Sequence, residues 1–228
     1  MKQFDRTIKL VGEENFERIR KAHIAVFGIG GVGGYAVEAL VRAGVGRIDI
    51  VDSDTVDITN LNRQIIALHS TAGKSKVRVF EERIKDINPQ CIVNAYEMFF
   101  LPGNAHVFDF ESYDYVIDAV DTVAAKIELA VKCSESGTRI ISSMGTGNKV
   151  HPEMFEIADV FETEIDPLAK VMRKELRKRG ITHMTCVYSK EKPVKTESRT
   201  PASISFTPPV AGMILASKVI SDIMCDEL

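Results

Sequence analysis

The amino-acid sequence predicts an α/β fold, with a mostly parallel sheet and helices on both of its faces. Short apolar runs alternate with helical patterns through residues 1–148, as they do in proteins with a buried parallel sheet. A glycine-rich turn also joins the first apolar run to the first helical pattern. With 228 residues and no internal repeat, the chain is expected to form one domain with an insertion.

The core of the predicted sheet begins with "HIAVFG" (23–28), an apolar run that ends in glycine as a buried strand can. Val37, Leu40 and Val41 then recur at helical spacing. Two further helices are predicted over 74–87, before Asn88-Pro89, and over 124–136, before Gly137. The other predicted strands are 47–52, 91–96, 114–120 and 139–144.

The pattern changes after Gly147. Alternating segments over 154–165 and 183–189 predict two more strands, and Asp166-Pro167 is a favourable helix start because a capping residue precedes proline. That helix is expected to run to Arg179, and 189–203 to form a mobile polar loop. We therefore predict a substrate-side insertion over 149–207, with extra strands and a basic helix, and a closing helix over 208–228.

Composition limits the classes of function and location. The formal net charge of -3 is too small to indicate a nucleic-acid or membrane partner by itself. The four cysteines form no Cys-x-x-Cys pair, so neither structural zinc nor a disulfide framework is expected, and a reducing cytoplasm fits best. The beginning has no apolar run, and Lys218 and Asp222 interrupt the apolar end. We therefore expect a soluble cytoplasmic protein with no membrane partner.

The turn after the first strand contains the glycines of a Rossmann-like nucleotide loop: Gly28, Gly30, Gly31 and Gly33. Glycine lets the backbone approach phosphate, and the amino terminus of the following helix offers free N–H groups to the anion. Asp52 ends the next strand, where its carboxylate can accept hydrogen bonds from ribose hydroxyls. These features alone support NAD, FAD or an adenine mononucleotide almost equally.

Charged residues further along the chain favour a triphosphate. Arg63 in "NLNRQ", with Lys74 and Lys76 in "GKSK", would offset the charge of a triphosphate while pyrophosphate departs. Asp118 and Asp121 in "VIDAVDT" lie at the carboxyl end of a strand, where a carboxylate can hold Mg²⁺. Each has an ordinary structural alternative, namely a surface ion pair, a solvated position or a helix cap. Their joint order favours ATP with Mg²⁺.

The succession of the glycine loop, "DSDTVDITNLNRQ", "GKSK" and "DAVDT" resembles the ubiquitin-activating-enzyme-like superfamily, whose members adenylate carboxylates. The resemblance covers about 4–148 and makes residues 1–148 the expected ATP-binding core. It implies that Asp52 contacts ribose and that Asp121 holds Mg²⁺. The remaining candidates for contact with the nucleotide and its phosphates are Asp54, Asn60, Arg63, Gln64, Lys76 and Thr122.

The amino-terminal "FDRTIKLVG" resembles the same superfamily. Arg6 is similar to an arginine that, in this superfamily, reaches the ATP of the neighbouring subunit. The resemblance therefore implies a homodimer, with Arg6 acting in trans. The candidate catalytic residues are Arg6, Arg63, Lys76 and Asp121.

The chemistry that these enzymes share is attack by a carboxylate oxygen on the α-phosphate of ATP, which gives an acyl-adenylate and pyrophosphate. No general base is needed because a carboxylate is already ionised at neutral pH. Alignment and charge neutralisation remain for the protein, as the set of cations and carboxylates suggests. Cys186 is a candidate thioester nucleophile, but its strand-like context with no obvious activating partner favours a buried structural cysteine.

Two features narrow the substrate. The chain lacks the two Cys-x-x-Cys pairs that sulfur-carrier activating enzymes commonly use for zinc. Its "SMGTGNKVHPEMFEIADVFETEIDPLAK" and "VYSKEKP" resemble one branch of the superfamily, the cyclases of threonylcarbamoyladenosine beside the tRNA anticodon. This resemblance implies that ATP activates the threonyl carboxylate. The carbamoyl nitrogen then displaces AMP and closes a ring, with net loss of water.

The predicted basic helix is a candidate contact for tRNA. Its charged run contains a single acid, Glu175, and Arg199 follows in the polar loop. Apolar positions, Val171 among them, can face the core and leave a basic face outward. Such a face suits a phosphate backbone, an acidic protein carrier or simple solvation. The cations of the run are Lys170, Arg173, Lys174, Arg177, Lys178 and Arg179.

Three other functions stay open from the sequence. The first is adenylation of the carboxy-terminal glycine of a sulfur-carrier or ubiquitin-like protein. The second is an NAD-dependent oxidoreductase, which would tolerate the loss of Arg63 and Lys76. The third is a non-catalytic adaptor that keeps ATP binding for its shape, and a sulfur-transfer protein is a possible partner.

Overall fold

The computed structural model describes residues 2–197 and 200–225. Its strands are β1 (His23–Phe27), β2 (Arg47–Val51), β3 (Ile92–Tyr96), β4 (Tyr115–Asp118), β5 (Arg139–Ser143), β6 (Phe155–Asp159) and β7 (Thr185–Ser189). Its α-helices are α1 (Asp5–Val11), α2 (Glu13–Lys21), α3 (Gly33–Ala43), α4 (Lys76–Ile87), α5 (Val123–Ser136), α6 (Pro167–Arg177) and α7 (Thr207–Cys225). Arg199, predicted to lie in the polar loop, falls outside the described residues.

The described strands form one sheet in the order β3-β2-β1-β4-β5-β7-β6. All neighbours are parallel except β6, which runs antiparallel to β7. The register places Phe27 beside both Val51 and Asp118. The ends of β1, β2 and β4 therefore lie side by side, and the segments that follow them meet at one edge of the sheet.

Both faces of the sheet are buried, as expected for a parallel sheet with crossover helices. Ile24 and Val26 point into a cluster formed with α3, α4 and α7. Ala25 and Phe27 point the other way, into a cluster with α5 and with the aromatic residues of 100–113. Phe27 is fully buried there, with its ring centroid 4.9 Å from that of Phe100. The helices on both faces confirm the predicted fold class.

The closing helix α7 packs against α3. By length and composition it could cross a membrane. Gly212 nevertheless lies so close to α3 that an added Cβ would stand 2.2 Å from the carbonyl oxygen of Val32. Leu215 and Val219 are fully buried in the same contact region. Packing within the fold therefore accounts for part of the apolar composition of α7.

The structure corrects several boundaries and one burial prediction; among the boundaries, β4 ends at Asp118 and β7 begins at Thr185. Helix α4 begins at Lys76 and not at residue 74, because Gly73 and Lys74 bond to the backbone of Val56. Strand β6 ends at Asp159, whose side chain accepts a hydrogen bond from the Phe161 N–H and starts a short 3-10 turn.

Helix α6 ends at Arg177, and the segment to Gly180 forms a turn. Val171 is 43% exposed, so this apolar position does not face the core as predicted. The helices α1 and α2 have no counterpart among the predicted elements. The insertion strands β6 and β7 extend the main sheet, and no separate sheet forms among the described residues.

Candidate active site

The glycine loop connects β1 to α3 and requires glycine at two close approaches. Gly28 has φ 80°, and a Cβ there would lie 2.7 Å from the carbonyl oxygen of Ala119. Gly33 is the first residue of α3, and a Cβ there would lie 1.9 Å from the carbonyl oxygen of Gly28. The loop therefore lies against the segment after β4, and the amino terminus of α3 is available to an anion.

Asp52 follows β2 and is fixed by backbone donors. Its Oδ2 accepts a hydrogen bond from the N–H of Ile29 at 2.9 Å, and its Oδ1 accepts one from the N–H of Asp54 at 2.9 Å. The first of these bonds joins the carboxylate to the glycine loop. Asp52 therefore lies beside the glycine loop. This is the position that its predicted role as a ribose ligand requires.

Lys76 brings a buried positive charge to the same place. It is the first residue of α4 and only 5% exposed. Its Nζ donates to Oδ2 of Asp54 at 2.7 Å and lies 3.8 Å from Oδ1 of Asp52. Two carboxylates thus hold the ammonium inside the cleft, and a phosphate could share it.

The "NLNRQ" segment folds over the glycine loop. Asn60 is buried, and its Oδ1 accepts from the N–H of Asp57 at 3.2 Å. The Arg63 stem lies against Gly31, since a Cβ on that glycine would be 3.2 Å from the arginine Cγ. Gln64 is 7% exposed, and among the described residues its buried Oε1 has no hydrogen-bond partner. This orphaned amide fits a site that awaits a polar ligand.

The two aspartates after β4 differ. Asp118 is fully buried: Lys126 Nζ donates to both of its carboxylate oxygens at 3.1 Å, and Ser142 Oγ donates at 2.5 Å. Its charge is already neutralised, so Asp118 is not a metal ligand, although the sequence allowed that role. Asp121 is exposed, and within the described residues it accepts only a long 3.3 Å bond from the Thr122 hydroxyl.

Asp121 can therefore offer carboxylate oxygens to a cation. The described residues contain no group of three or more His, Cys, Asp or Glu side chains that could hold a metal by themselves. Mg²⁺ suits such a site because it commonly binds one or two carboxylates together with substrate phosphates and water. The chemistry of these side chains thus fits a metal that arrives with a nucleotide.

These residues line a single cleft of about 560 Å³. Of the predicted site residues, those that line it are Gly28, Gly30, Gly31, Asp52, Asp54, Asn60, Arg63, Gln64, Lys76, Asp121 and Thr122. Gly33 does not line the cleft, but it packs against the backbone of Gly28 within the loop. Arg6 is exposed on α1 and does not line the cleft of its own chain. Its role in the site of a neighbouring subunit stays a prediction.

A further wall of the cleft consists of residues 144–147 and 200–203, with Leu168 of α6. Asn148 joins the first two segments: its Oδ1 accepts from the N–H of Ala202 at 2.7 Å, and its own N–H donates to the Ala202 carbonyl at 2.8 Å. Asn148 has φ 58°, a left-handed conformation that asparagine tolerates better than most residues. Asn62, within "NLNRQ", also donates to the Ser203 carbonyl at 3.1 Å.

The cysteines do not form part of this wall. Cys186 lies in β7 and is fully buried. Burial raises the pKa of its thiol to about 12, helped by the negative charges of Asp159 and Asp166. A thiolate is therefore disfavoured, and the structure supports a structural role for Cys186 over that of a thioester nucleophile.

The sequence did not reveal several residues that shape the site. Lys126 occupies a fully buried position in α5, and Lys149 and Asn148 follow the wall segment at 144–147. A lysine within the otherwise apolar "AAKIELA" was the one available signal for Lys126. The partners of Lys149 and Asn148 are remote in sequence, so neither spacing nor periodicity identified them.

The fold and the site thus define an α/β protein with a glycine loop of the nucleotide-binding type, whose cleft combines the cations Arg63 and Lys76 with Asp121, an acidic residue suited to a metal. The chain belongs to the ThiF family, whose model matches residues 4–225. It is 43% identical to the tRNA threonylcarbamoyladenosine dehydratase of Bacillus subtilis, over 98% of this chain and 95% of that protein.

Solved structures of a second relative have the same fold. A crystal structure of the E. coli tRNA N6-threonylcarbamoyladenosine dehydratase in complex with AMP has a TM-score of 0.93 and 35% identity. The match covers 97% of this chain and 94% of that one. A structure of the E. coli enzyme in complex with ATP gives a TM-score of 0.91 at 34% identity, with 97% and 93% covered.

Proposed function

We propose that this chain catalyses the ATP-dependent cyclisation of threonylcarbamoyladenosine beside the tRNA anticodon. The observation that carries the proposal is the 43% identity to a dehydratase of this nucleoside over 98% of the chain. The similarity includes the insertion as well as the nucleotide core. An enzyme for a sulfur-carrier or ubiquitin-like protein is for this reason not favoured.

ATP is the nucleotide that the cleft suits best. Gly28 and Gly31 let the backbone approach phosphate, while Asp52 faces the place expected for ribose. Arg63 and Lys76 supply the positive charge along the phosphates. The AMP and ATP complexes of the E. coli relative support the same choice.

In the first step, an oxygen of the threonyl carboxylate attacks the α-phosphorus of ATP. The bond from that phosphorus to the bridging oxygen of the β-phosphate breaks, and pyrophosphate leaves with its electron pair. The carboxylate is ionised at neutral pH, so no protein base is required. Arg63 and Lys76 offset the charge that develops on the phosphates. Mg²⁺, when bound, would supply further neutralisation, and Asp121 would hold it.

In the second step, the carbamoyl nitrogen of the same nucleoside attacks the activated carbonyl carbon. The bond from this carbon to the AMP oxygen breaks, AMP leaves, and the nitrogen gives up its proton to solvent. The ring closes with net loss of one water from the nucleoside. The wall at 144–147 and 200–203 lines the same cleft as the candidate phosphate contacts, and we assign it to holding the acyl group in line.

We further propose that the enzyme is a homodimer in which Arg6 reaches the ATP of the neighbouring subunit. Arg6 is exposed, and α1 buries none of its residues against its own chain. An arginine so placed can contact the phosphates of a second copy. A monomeric cleft without that charge would adenylate poorly.

The tRNA face that we propose is narrower than the basic run in the sequence. Lys178 and Arg179 pair with Glu175, and the half-buried Arg173 donates to the Thr163 carbonyl at 2.8 Å. Within the part of the chain that the structure describes, Lys170 and Lys174 are exposed and form no ion pair, and Arg177 lies over the Phe161 ring. The cations free to meet phosphate are therefore Lys170 and Lys174, with Arg177 beside them.

A cytoplasmic location and a sulfur-transfer partner also stay predictions. Of the described cysteines, Cys91, Cys133 and Cys186 are buried and Cys225 is exposed. A partner that exchanges sulfur could reach only the last of these described thiols in the folded chain.

The test is a mass spectrum of nucleosides from tRNA that carries threonylcarbamoyladenosine, after incubation with the protein, ATP and Mg²⁺. We expect the nucleoside to lose the mass of one water only when ATP is present. An unchanged nucleoside, with folded protein and intact tRNA, would contradict the proposal.

A further inference from the structure

The wall of the cleft at 144–147 and 200–203 is called the acyl wall below. Two buried charges connect it to the basic helix α6. The ammonium of Lys149 lies 3.1 Å from Oδ2 of Asp166, and each side chain is only 1% exposed. Neither residue is a member of the nucleotide motifs. The pair itself does not line the cleft, but its neighbours Gly145 and Leu168 do.

Each partner also holds a second element. Oδ1 of Asp166 accepts from the N–H of Ala169 at 3.0 Å, which caps the first turn of α6. Lys149 Nζ donates to the carbonyl oxygen of Gly145, a residue of the acyl wall. A Cβ added at Gly145 would lie 3.3 Å from Oδ2 of Asp166, so the carboxylate also lies close to the wall. The start of α6 is thus joined to the wall through Lys149.

Burying a pair of this kind has a large desolvation cost. Removing two charges from water costs several kcal/mol per ion in order of magnitude, and well-packed apolar residues are often at least as stable. The hydrogen bonds to Gly145 and Ala169 offset part of that cost. Stability alone is therefore a weak reason for a lysine and an aspartate at this place. Their links to two distinct elements provide a better one.

We propose that Lys149 and Asp166 are positioning residues that couple RNA bound on α6 to the shape of the acyl wall. This inference rests on the function proposed above. Phosphates held by Lys170 and Lys174 fix the orientation of α6, and the first turn of the helix carries Asp166 with it. Through Lys149, Asp166 then sets the Gly145 carbonyl and the wall that aligns the acyl group. Correct RNA placement and correct alignment thereby become linked.

Four variants separate this role from a structural one. Lys149→Met removes the charge at similar length, and Lys149→Arg keeps it. Asp166→Asn retains an oxygen that can cap α6, while it removes the negative charge. Combining Lys149→Met with Asp166→Asn removes both charges, so that no unpaired buried ion remains. Cyclisation kinetics, ATP and RNA affinities and thermal melting are measured for each.

Across these variants, the changes in kcat should not follow the changes in melting temperature. We expect Lys149→Met to lower kcat at least tenfold with ATP and RNA affinities within twofold of wild type, and Lys149→Arg to restore part of it. The double variant should regain most of the melting temperature lost by each single change, without regaining kcat. If kcat follows the melting temperature through the series, or stays within twofold in Lys149→Met, the proposal is wrong.

A matched control is available elsewhere on β1 and β2. There His23 Nε2 lies 2.9 Å from Oδ1 of Asp49, and both side chains are below a tenth exposed. Asp49→Asn also alters a buried contact between two titratable side chains, and neither residue lines the cleft. It should lower the melting temperature and leave kcat within twofold. A kcat loss equal to that of Lys149→Met would make the latter effect nonspecific and overturn the proposal.

Hydrogen exchange tests the coupling without turnover, so its failure can be told from the absence of cyclase activity. An anticodon stem-loop RNA is added, and amide exchange is followed over 144–148 and 167–177. In the wild type both segments should be protected, and in Lys149→Met only the helix. Protection of the helix with no change at 144–148 in the wild type contradicts the coupling, whether or not the nucleoside is dehydrated. No protection of the helix overturns both the coupling and the proposed RNA face.

Discussion

The two sides of the cleft are held in different ways. On the nucleotide side, glycine turns, strand ends and first helical turns fix each group, and backbone amides hold Asp52 in place. On the acyl side, which is the wall at 144–147 and 200–203, side-chain hydrogen bonds join segments that are remote in sequence. Asn148 and Ala202 are 54 residues apart, and Asn62 and Ser203 are 141 apart. The difference implies that the fold itself fixes the nucleotide side. On the acyl side, a single substitution can remove one of the hydrogen bonds that hold the wall.

The largest effect should come from the charge that completes the nucleotide side. Asp121→Asn keeps the shape of the side chain but removes its charge, and we expect turnover to fall about 100-fold or more. Melting temperature should be nearly unchanged, because Asp121 is exposed. Asp86→Asn, a change of an exposed aspartate on α4, is the control and should retain full activity.

The same variant tests the role of Arg6. Arg6→Ala should also be inactive alone. When the Arg6→Ala and Asp121→Asn proteins are mixed and exchange subunits, hybrid dimers should regain part of the activity, since one of their two sites has both residues intact. If subunits exchange and no activity returns, Arg6 does not act in trans.

A second large effect should distinguish steric contact from backbone strain on the nucleotide side. Gly28 and Gly137 both have positive φ, 80° and 73°, but only at Gly28 would a Cβ meet neighbouring backbone. We expect Gly28→Ala to cost about 3 kcal/mol and to abolish ATP binding. Gly137→Ala should cost about 1 kcal/mol and leave ATP binding intact. Melting and ATP titration measure both, and equal losses in the two variants would refute the close-approach argument.

A smaller effect is expected on the acyl side. Asn148→Gly suits the positive φ but removes the acceptor for the Ala202 N–H. The lost bond is worth about 1 kcal/mol, so we expect KM for tRNA to rise about fivefold, with ATP affinity unchanged. Asn148→Asp keeps an acceptor oxygen and should remain close to wild type. A matching loss of ATP affinity would show that the two sides are not independent.

The smallest effect should be at Cys186. Because burial raises the pKa of its thiol to about 12, the group is protonated at neutral pH. Cys186→Ala should therefore leave turnover within about twofold, apart from a modest loss of stability from the vacated volume. Complete loss of turnover in a folded variant would reinstate Cys186 as a thioester nucleophile.

The sequence predicted the nucleotide side well because its signals are local. The order of strands and helices, the glycine loop and the motifs after β2 and β4 each lie within a short stretch of chain, and the fold class and family are confirmed. The acyl side depends on contacts over long separations, so Lys149 and Asn148 carried no pattern of their own. The burial prediction for Val171 was wrong for a different reason. Helical spacing ranks positions by one face, but the neighbours actually packed on α6 decide which of them is covered.

Asp118 gives a related lesson. From the sequence, its place at the end of a strand made it as good a metal ligand as Asp121. Only the fold shows that Lys126, one helix further along the chain, neutralises it. A motif thus identifies the chemical type of a site, while burial decides which of two equal side chains is free to act.

The most direct test of the account follows the carboxylate oxygen. The threonyl carboxylate of threonylcarbamoyladenosine in tRNA is labelled with oxygen-18, the RNA is incubated with the enzyme, ATP and Mg²⁺, and the released nucleotides are analysed by mass spectrometry. Attack on the α-phosphorus predicts that one labelled oxygen leaves in AMP, with unlabelled pyrophosphate. Label in inorganic phosphate, with ADP as the product, would contradict adenylation and with it the central assignment of the cleft.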